Sequence, residues 1–376
     1  MSERTLCIGL MSGTSLDGAD GVLADFASDG RLQVLGHAFA PFPDALRAEL
    51  LALNRPGDNE LHRSALAGNA LVGVYAGVVA QLLSRSGLAP QDILAIGAHG
   101  QTVRHQPQLH DGTGYTLQLN QPALLAERTG IDVVADFRSR DVAAGGQGAP
   151  LVPAFHQGVF GVPGQTVAVL NLGGIANLSV LGADGAVRGW DCGPANALID
   201  HWCQRHTGQA FDRDGAWAAS GQVLAPLLAR LLAEPYLSLP PPKSTGRDLF
   251  HPDWLRQHLQ GFENAAAADV QATLTAFTAE ACAADVRRYA LQGAAPARRL
   301  IVCGGGALNG HLMGLLQAGL PTLQVRSSVH EGLPPLQVEA AAFAWLAWQC
   351  MHRQTASLPS VTGAQGARVL GAIYPR

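Results

Sequence analysis

An apolar run, a polar turn holding glycine and a second apolar run follow one another twice in this chain, and few folds accommodate that repeat. The first copy is IGLMSGTSLDGADGVLADF, Ile8 to Phe26, in which Ser12, Gly13, Thr14 and Ser15 separate a strand at Leu6 to Leu10 from another at Gly18 to Phe26. Val22, Ala24 and Phe26 alternate as the buried face of a strand should, so the segment predicts a hairpin. The second copy, TVAVLNLGGIANLSVL from Thr166 to Leu181, follows the turn-forming Pro163-Gly164 and breaks at Gly173 and Gly174. The two stand about 160 residues apart, roughly one domain length, which points to a structural duplication.

Between and after the hairpins, strands and helices alternate. Helical spacing runs from about Ala65 to Leu83, a strand at Ile93 to Ala98 leads into HGQTVRH, and another apolar run spans Ile131 to Ala135. The second half adds an amphipathic helix at Asp269 to Tyr289, the strand RLIVC at Arg299 to Cys303, the triplet Gly304 to Gly306 and a helix near Leu308 to Leu316. A last helix, Val338 to Met351, carries Phe343, Trp345, Leu346 and Trp348 and reads as packing. This order predicts α/β layering. We expect two lobes, residues 1–145 and 146–376, with the last helix and tail packing back on the first, because 376 residues exceed one ordinary core.

Composition narrows the function. Apolar residues make up 48% and charged residues 14%, which excludes disorder, and a net charge of -4 leaves no basic stripe for nucleic acid. Cys7, Cys192, Cys203, Cys282, Cys303 and Cys350 form no C-x-x-C pair, so neither a disulfide framework nor a zinc site is expected. The N-terminus has no cleavable leader pattern, and no run reaches the ~18 apolar residues of a membrane span. A cytoplasmic protein acting on small molecules is expected, with no membrane or nucleic-acid partner.

Neither G-x-x-x-x-G-K-[ST] nor an early G-x-G-x-x-G is present. Three glycine turns remain, each ending an apolar strand: Ser12-Gly13-Thr14-Ser15, Gly173-Gly174 and Gly304-Gly305-Gly306. Backbone N–H groups in such turns, aided by the Thr14 and Ser15 hydroxyls, make an anion-binding concavity that needs no lysine. Missing Cβ atoms let a ligand approach the backbone closely. PPKSTGRD, Pro241 to Asp248, reads as a mobile loop; Lys243 or Arg247 is either solvated or brought over an anion.

The motifs GLMSGTSLDGAD, GAHGQT, DVVADFR, DVAAGGQGAPLVPAFH, LNLGGIANLS, DCGPANALID, FDRDGAWA, PKSTGR and CGGGALN span nearly the whole chain. In that order they resemble the anhydro-N-acetylmuramic acid kinase family, within the actin, hexokinase and heat-shock ATPase superfamily. The resemblance implies two duplicated ribonuclease-H-like domains with ATP and sugar in a cleft between them. It implies that ATP and water open 1,6-anhydro-N-acetylmuramic acid, giving N-acetylmuramic acid 6-phosphate and ADP in peptidoglycan recycling. The ATP loop maps onto Gly13, Thr14, Ser15, Leu16, Asp17, Gly18, Ala19 and Asp20, and the catalytic aspartate onto Asp191 in WDCGPAN. Mg²⁺ is expected with ATP. The wider superfamily places an acid just before the first phosphate turn, whereas this chain has Leu10 and Met11 there, so no metal ligand is assigned.

The chemistry can be built from the substrate. O6 of an anhydro sugar is bonded to C1 and offers no proton, so water must attack C1 while O6 moves onto phosphorus. A carboxylate such as Asp191 would take the water's proton. From the residues alone Asp191 also reads as a cap on the CGPAN turn before a helix from about Ala197. His99 and Gln101 read equally as turn structure or as sugar contacts. Arg138 suits the substrate's lactyl carboxylate, or an ion pair with Asp136 or Asp141. Glu339 suits a helix first turn, or the positioning of water or Mg²⁺. Asp212 and Asp214 read as loop staples. A conventional sugar kinase, a superfamily chaperone or filament protein and a regulatory sugar-binding module are the competing readings; oligomeric state, a homodimer included, is left open.

Overall fold

The computed structural model describes residues 5–13, 16–28, 30–246 and 249–376. Thr14, Ser15 and Arg247 lie outside them. The chain divides into two compact α/β units, one running up to Val159 and including Gln337–Arg376, the other Phe160–Leu336. The division therefore lies at Val159/Phe160, where the sequence reading set it at 145/146.

The first unit contains β1 (Thr5–Met11), β2 (Gly18–Phe26), β3 (Leu32–Pro41), β4 (Ile93–Ala98), β5 (Gln101–Pro107), β6 (Gly114–Leu119) and β7 (Val133–Ala135). Its main sheet runs from the C-terminal strand Ala372–Tyr374 through β7, β4, β1 and β2 to β3. The β1–β2 and β2–β3 pairs are antiparallel, and β1–β4 and β4–β7 are parallel. Side chains alternate across β1 as a pleated strand requires. Leu6, Ile8 and Leu10 face Leu71, Val72, Tyr75 and Val78 of the Glu60–Ser86 helix in one apolar cluster. On the opposite face Gly9 and Gly97 are register partners. A Cβ on either would enter the backbone of the Val338–Met351 helix, at the carbonyls of Ala340 and Phe343. Their lack of side chains is what lets that helix lie flat on the sheet. The helix is buried nearly all round: Trp348 stacks on Phe26 of β2, and Trp345 meets Phe155.

Two expectations change here. The turn reading of HGQTVRH holds for His99 and Gly100 alone: Gln101 opens β5, which pairs with β6 in a separate two-stranded sheet. The Glu60–Ser86 helix, 27 residues, is long and apolar enough to cross a membrane by length and composition. Its buried stripe, Leu71 to Leu82, packs into the core of the unit.

The second unit holds β8 (Val167–Leu172), β9 (Ile175–Leu181), β10 (Val187–Pro194), β11 (Arg299–Cys303) and β12 (Gln324–Ser327), in the order β10-β9-β8-β11-β12. Here too the hairpin and its third strand are antiparallel, and the two later strands join in parallel. The two sheets thus repeat one topology, third strand to first hairpin and outward to two parallel strands. Leu170, Leu172, Leu178 and Trp190 pack beneath the Ala267–Tyr289 and Gly310–Gly319 helices, and a second cluster gathers Leu198, Leu227, Phe250, Trp254 and Phe277.

Candidate active site

In the first unit the β1–β2 turn is tied down by the Glu60–Ser86 helix and by the segment that leads into β5. The Ser12 hydroxyl lies 2.9 Å from that of Tyr75 and donates to the Gly100 carbonyl at 3.1 Å, and the Gln101 amide donates to the Gly13 carbonyl at 3.2 Å. Leu16 takes a left-handed φ of 57° and its N–H reaches back to Gly13 at 3.3 Å. Asp17 is exposed at the start of β2, where its carboxylate accepts the Gly18 N–H. Ala19 is buried, and Asp20 lies 2.9 Å from the His37 ring.

His99 and Gln101 are both buried. Arg138 donates to His99 Nε2 at 3.0–3.1 Å and to the Gly148 carbonyl at 2.8 Å. Burial first, then the Arg138 charge, pushes the imidazole pKa well below its usual value. A ring accepting at Nε2 carries its proton on Nδ1, so His99 is a neutral bracket that aims the guanidinium. Asp141 fastens the neighbouring loop, accepting from Gly148 N–H and the Thr362 hydroxyl, both at 2.8 Å. Glu339 stands in the first turn of the Val338–Met351 helix, one residue before the carbonyl that overlies Gly9.

In the second unit the structure brings the other two glycine turns together. Gly173 and Gly174 offer their carbonyls to the N–H groups of Ala195, Asn196 and Ala197 at 2.9–3.1 Å. The Asn196 amide donates to Leu172 O at 2.9 Å. Gly304 has a φ of 77°, and a Cβ there would meet Asn171 and Leu172; one on Gly306 would meet Leu172. Gly305 is the exposed member of the triplet. The helix that follows begins at Gly310, capped by Asn309, after a short 3₁₀ turn at Gly305–Leu308.

Asp191 lies within β10, beside a bulge at Cys192, and is 8% exposed. It does not cap a helix: the Asn196–Thr207 helix has its first N–H groups bonded to the glycine turn. Instead Thr245 N–H donates to Asp191 Oδ2 at 3.1 Å, Asp191 N–H donates to Lys243 O at 3.2 Å, and the Tyr236 hydroxyl donates to Asp191 O at 2.7 Å. Lys243 corrects the solvated-loop reading of PPKSTGRD. Its side chain turns inward to Asp285 at 3.3 Å, since Asp285 supplies a carboxylate that solvent cannot reach.

Asn171 and Asn177 had no assignment in the sequence. Asn177 is the register partner of both Asn171 and Asp191, so the three stand abreast on one sheet face. Polar residues at alternate places in an otherwise apolar hairpin were the signal. Asp212 caps the Ala216–Ala219 turn and Asp214 accepts the Gly310 N–H, as staples would. Among the described residues no three His, Cys, Asp or Glu side chains gather to hold a metal.

A family model described as anhydro-N-acetylmuramic acid kinase matches residues 5–376. An anhydro-N-acetylmuramic acid kinase of Variovorax paradoxus (strain S110) is 66% identical over 375 residues, covering 98% of this chain and 99% of that protein. One from Bordetella pertussis (strain Tohama I) is 60% identical over 374 residues, covering 98% and 96%. Among solved structures, the activator of the 2-hydroxyisocaproyl-CoA dehydratase from Clostridium difficile with bound ADPNP overlays with a TM-score of 0.45 at 13% identity, covering 92% of this chain and 95% of that one. That likeness is too distant to inform the site.

Proposed function

Since the chain belongs to the anhydro-N-acetylmuramic acid kinase family, we propose that it uses ATP and water to convert 1,6-anhydro-N-acetylmuramic acid into N-acetylmuramic acid 6-phosphate and ADP. In this reading Asp191 is the general base. One observation carries it: a nearly buried carboxylate whose backbone and side chain are gripped by three hydrogen bonds, while the lysine of the same loop turns to another acid.

Water attacks C1 as Asp191 takes one of its protons. The C1–O6 bond breaks, O6 bonds to the γ-phosphorus, and the bond from that phosphorus to ADP oxygen breaks. The proton leaves Asp191 for solvent when product departs. The γ-phosphoryl group receives the departing O6, so no separate acid is needed, and attack opposite O6 inverts C1. Because little covalent work falls to the protein in phosphoryl transfer, positioning and charge stabilisation dominate.

The residues proposed to contact phosphate are those of the turn between β1 and β2 and Gly173-Gly174, and Gly304 to Gly306 are proposed for adenosine. Arg138, aimed by His99, receives the lactyl carboxylate as a bidentate fork, and Gln101 and Glu339 lie on the sugar side. Mg²⁺ fits this donor set as an ion carried mainly by the phosphates with one protein carboxylate. Asp17, exposed at the start of β2, would be that carboxylate, and the ion would neutralise charge on the transferring group. All six cysteines are buried and outside disulfides, which suits a reducing cytoplasm.

Product formed in ¹⁸O-labelled water tests the reaction. Label at C1 of the sugar phosphate is expected; an unlabelled product overturns it in favour of a conventional sugar kinase, and label in the phosphate overturns it in favour of attack by water on phosphorus.

A further inference from the structure

We propose that Lys243 and Asp285 are positioning residues for Asp191: their internal ion pair anchors the Lys-Ser-Thr loop so that the Thr245 amide holds the catalytic carboxylate in place. This rests on the base role proposed above for Asp191.

The need for an anchor follows from topology. Among the described residues β10 is an edge strand, so one flank of Asp191 has no strand of them beside it. Residues 243–245 fill that flank: Lys243 O accepts the Asp191 N–H and Thr245 N–H reaches Oδ2. A stretch reading Pro-Pro-Lys-Ser-Thr-Gly has no apolar side chain beyond its prolines with which to hold itself there. Lys243 does the holding. Its ammonium lies 3.3 Å from Asp285 Oδ2, donates to Leu237 O at 3.1 Å and sits 5.1 Å above the Tyr236 ring. Asp285 is fixed in turn by the indole N–H of Trp190 at 2.7 Å. Trp190 directly precedes Asp191 and Tyr236 bonds its carbonyl, so the pair grips the aspartate from the strand side and the loop side together.

Energetics favour positioning over stability as the reason for the pair. The two side chains are only 3% and 6% exposed. Desolvating an ion costs several kcal/mol, and an apolar pair of similar size often serves a core equally well. What the ions add is direction, since the ammonium must point at one carboxylate and thereby fixes the loop backbone.

The test is a double-mutant cycle on the whole protein. Lys243→Met alone leaves Asp285 charged and unpaired, so Lys243→Met/Asp285→Asn is used, in which the amide at 285 still accepts from Trp190. We expect a folded protein with an unchanged KM for ATP and a kcat lowered roughly 10- to 100-fold. Single-turnover product formation is then compared with and without Asp191→Asn. In the Asp191→Asn background, loss of the ion pair should change the rate by less than about twofold, because the pair has nothing left to aim. A paired variant with normal kcat, or an equal loss in both backgrounds, overturns the proposal while leaving the base in place. An Asp191→Asn protein with near-normal kcat overturns the base reading itself.

Discussion

At the scale of single residues, Asp191 and Arg138 divide the work differently. Asp191→Asn keeps the shape and the Thr245 contact but removes the proposed proton acceptor. We expect kcat to fall by about 10²- to 10⁴-fold with ATP affinity nearly unchanged, read by steady-state kinetics and nucleotide titration. Arg138→Lys keeps the charge but loses the planar fork and its contacts to His99 and Gly148. The KM for the anhydro sugar should rise roughly tenfold, about 1.4 kcal/mol, with less effect on KM for ATP; equal changes in both would place Arg138 elsewhere. The sequence exposed Asp191 and Arg138 as candidates but not their surroundings. Nothing near Lys243 in the chain announces Asp285, 42 positions later, so a lysine among prolines reads as solvated until the fold supplies its partner.

At the scale of elements, the glycines of β1 and β4 decide how the first unit is layered. Gly97→Ala would force a methyl group into the Phe343 carbonyl, lifting the Val338–Met351 helix or buckling the sheet. A loss of about 1–3 kcal/mol is expected, measured by denaturant unfolding; an unchanged midpoint would mean the helix has room to shift. Hairpins, the long helices and the strand before the glycine triplet were legible because their apolar periods are strong. β3 and β5 were not. β3 alternates between exposed and half-buried positions with little full burial, and β5 mixes Gln, Thr, Arg and His. Such strands are set by pairing with neighbours, and propensity carries little of that information.

At the scale of the molecule, burial of two neutral histidines ties stability to pH. Burial lowers His99 well below its usual value and takes His156 to about 3. Above about pH 6.5 neither state is protonated at these rings and no penalty arises. As pH falls from there towards 3, the unfolded chain binds protons that the folded one refuses, so stability declines. Unfolding midpoints at pH 7.5 and 5.5 should show the drop, and a flat profile would mean the rings titrate normally in the fold. Removing Gln337–Arg376 should prevent the first unit from folding, because that segment brings the helix covering Gly9 and Gly97 and the edge strand on β7. Protease resistance of residues up to Val159 without that segment would refute this. By itself the sequence determined the α/β class, the two hairpins and the three glycine turns, because each is written in local period or composition; Asp191 stood out through the motif WDCGPAN and its family resemblance. Only the tertiary structure decided that Lys243 faces inward, that His99 serves Arg138, and that Asn177 stands beside Asp191. Those facts depend on which distant segments share a sheet edge or a core, and contacts of that kind leave no local period in the chain.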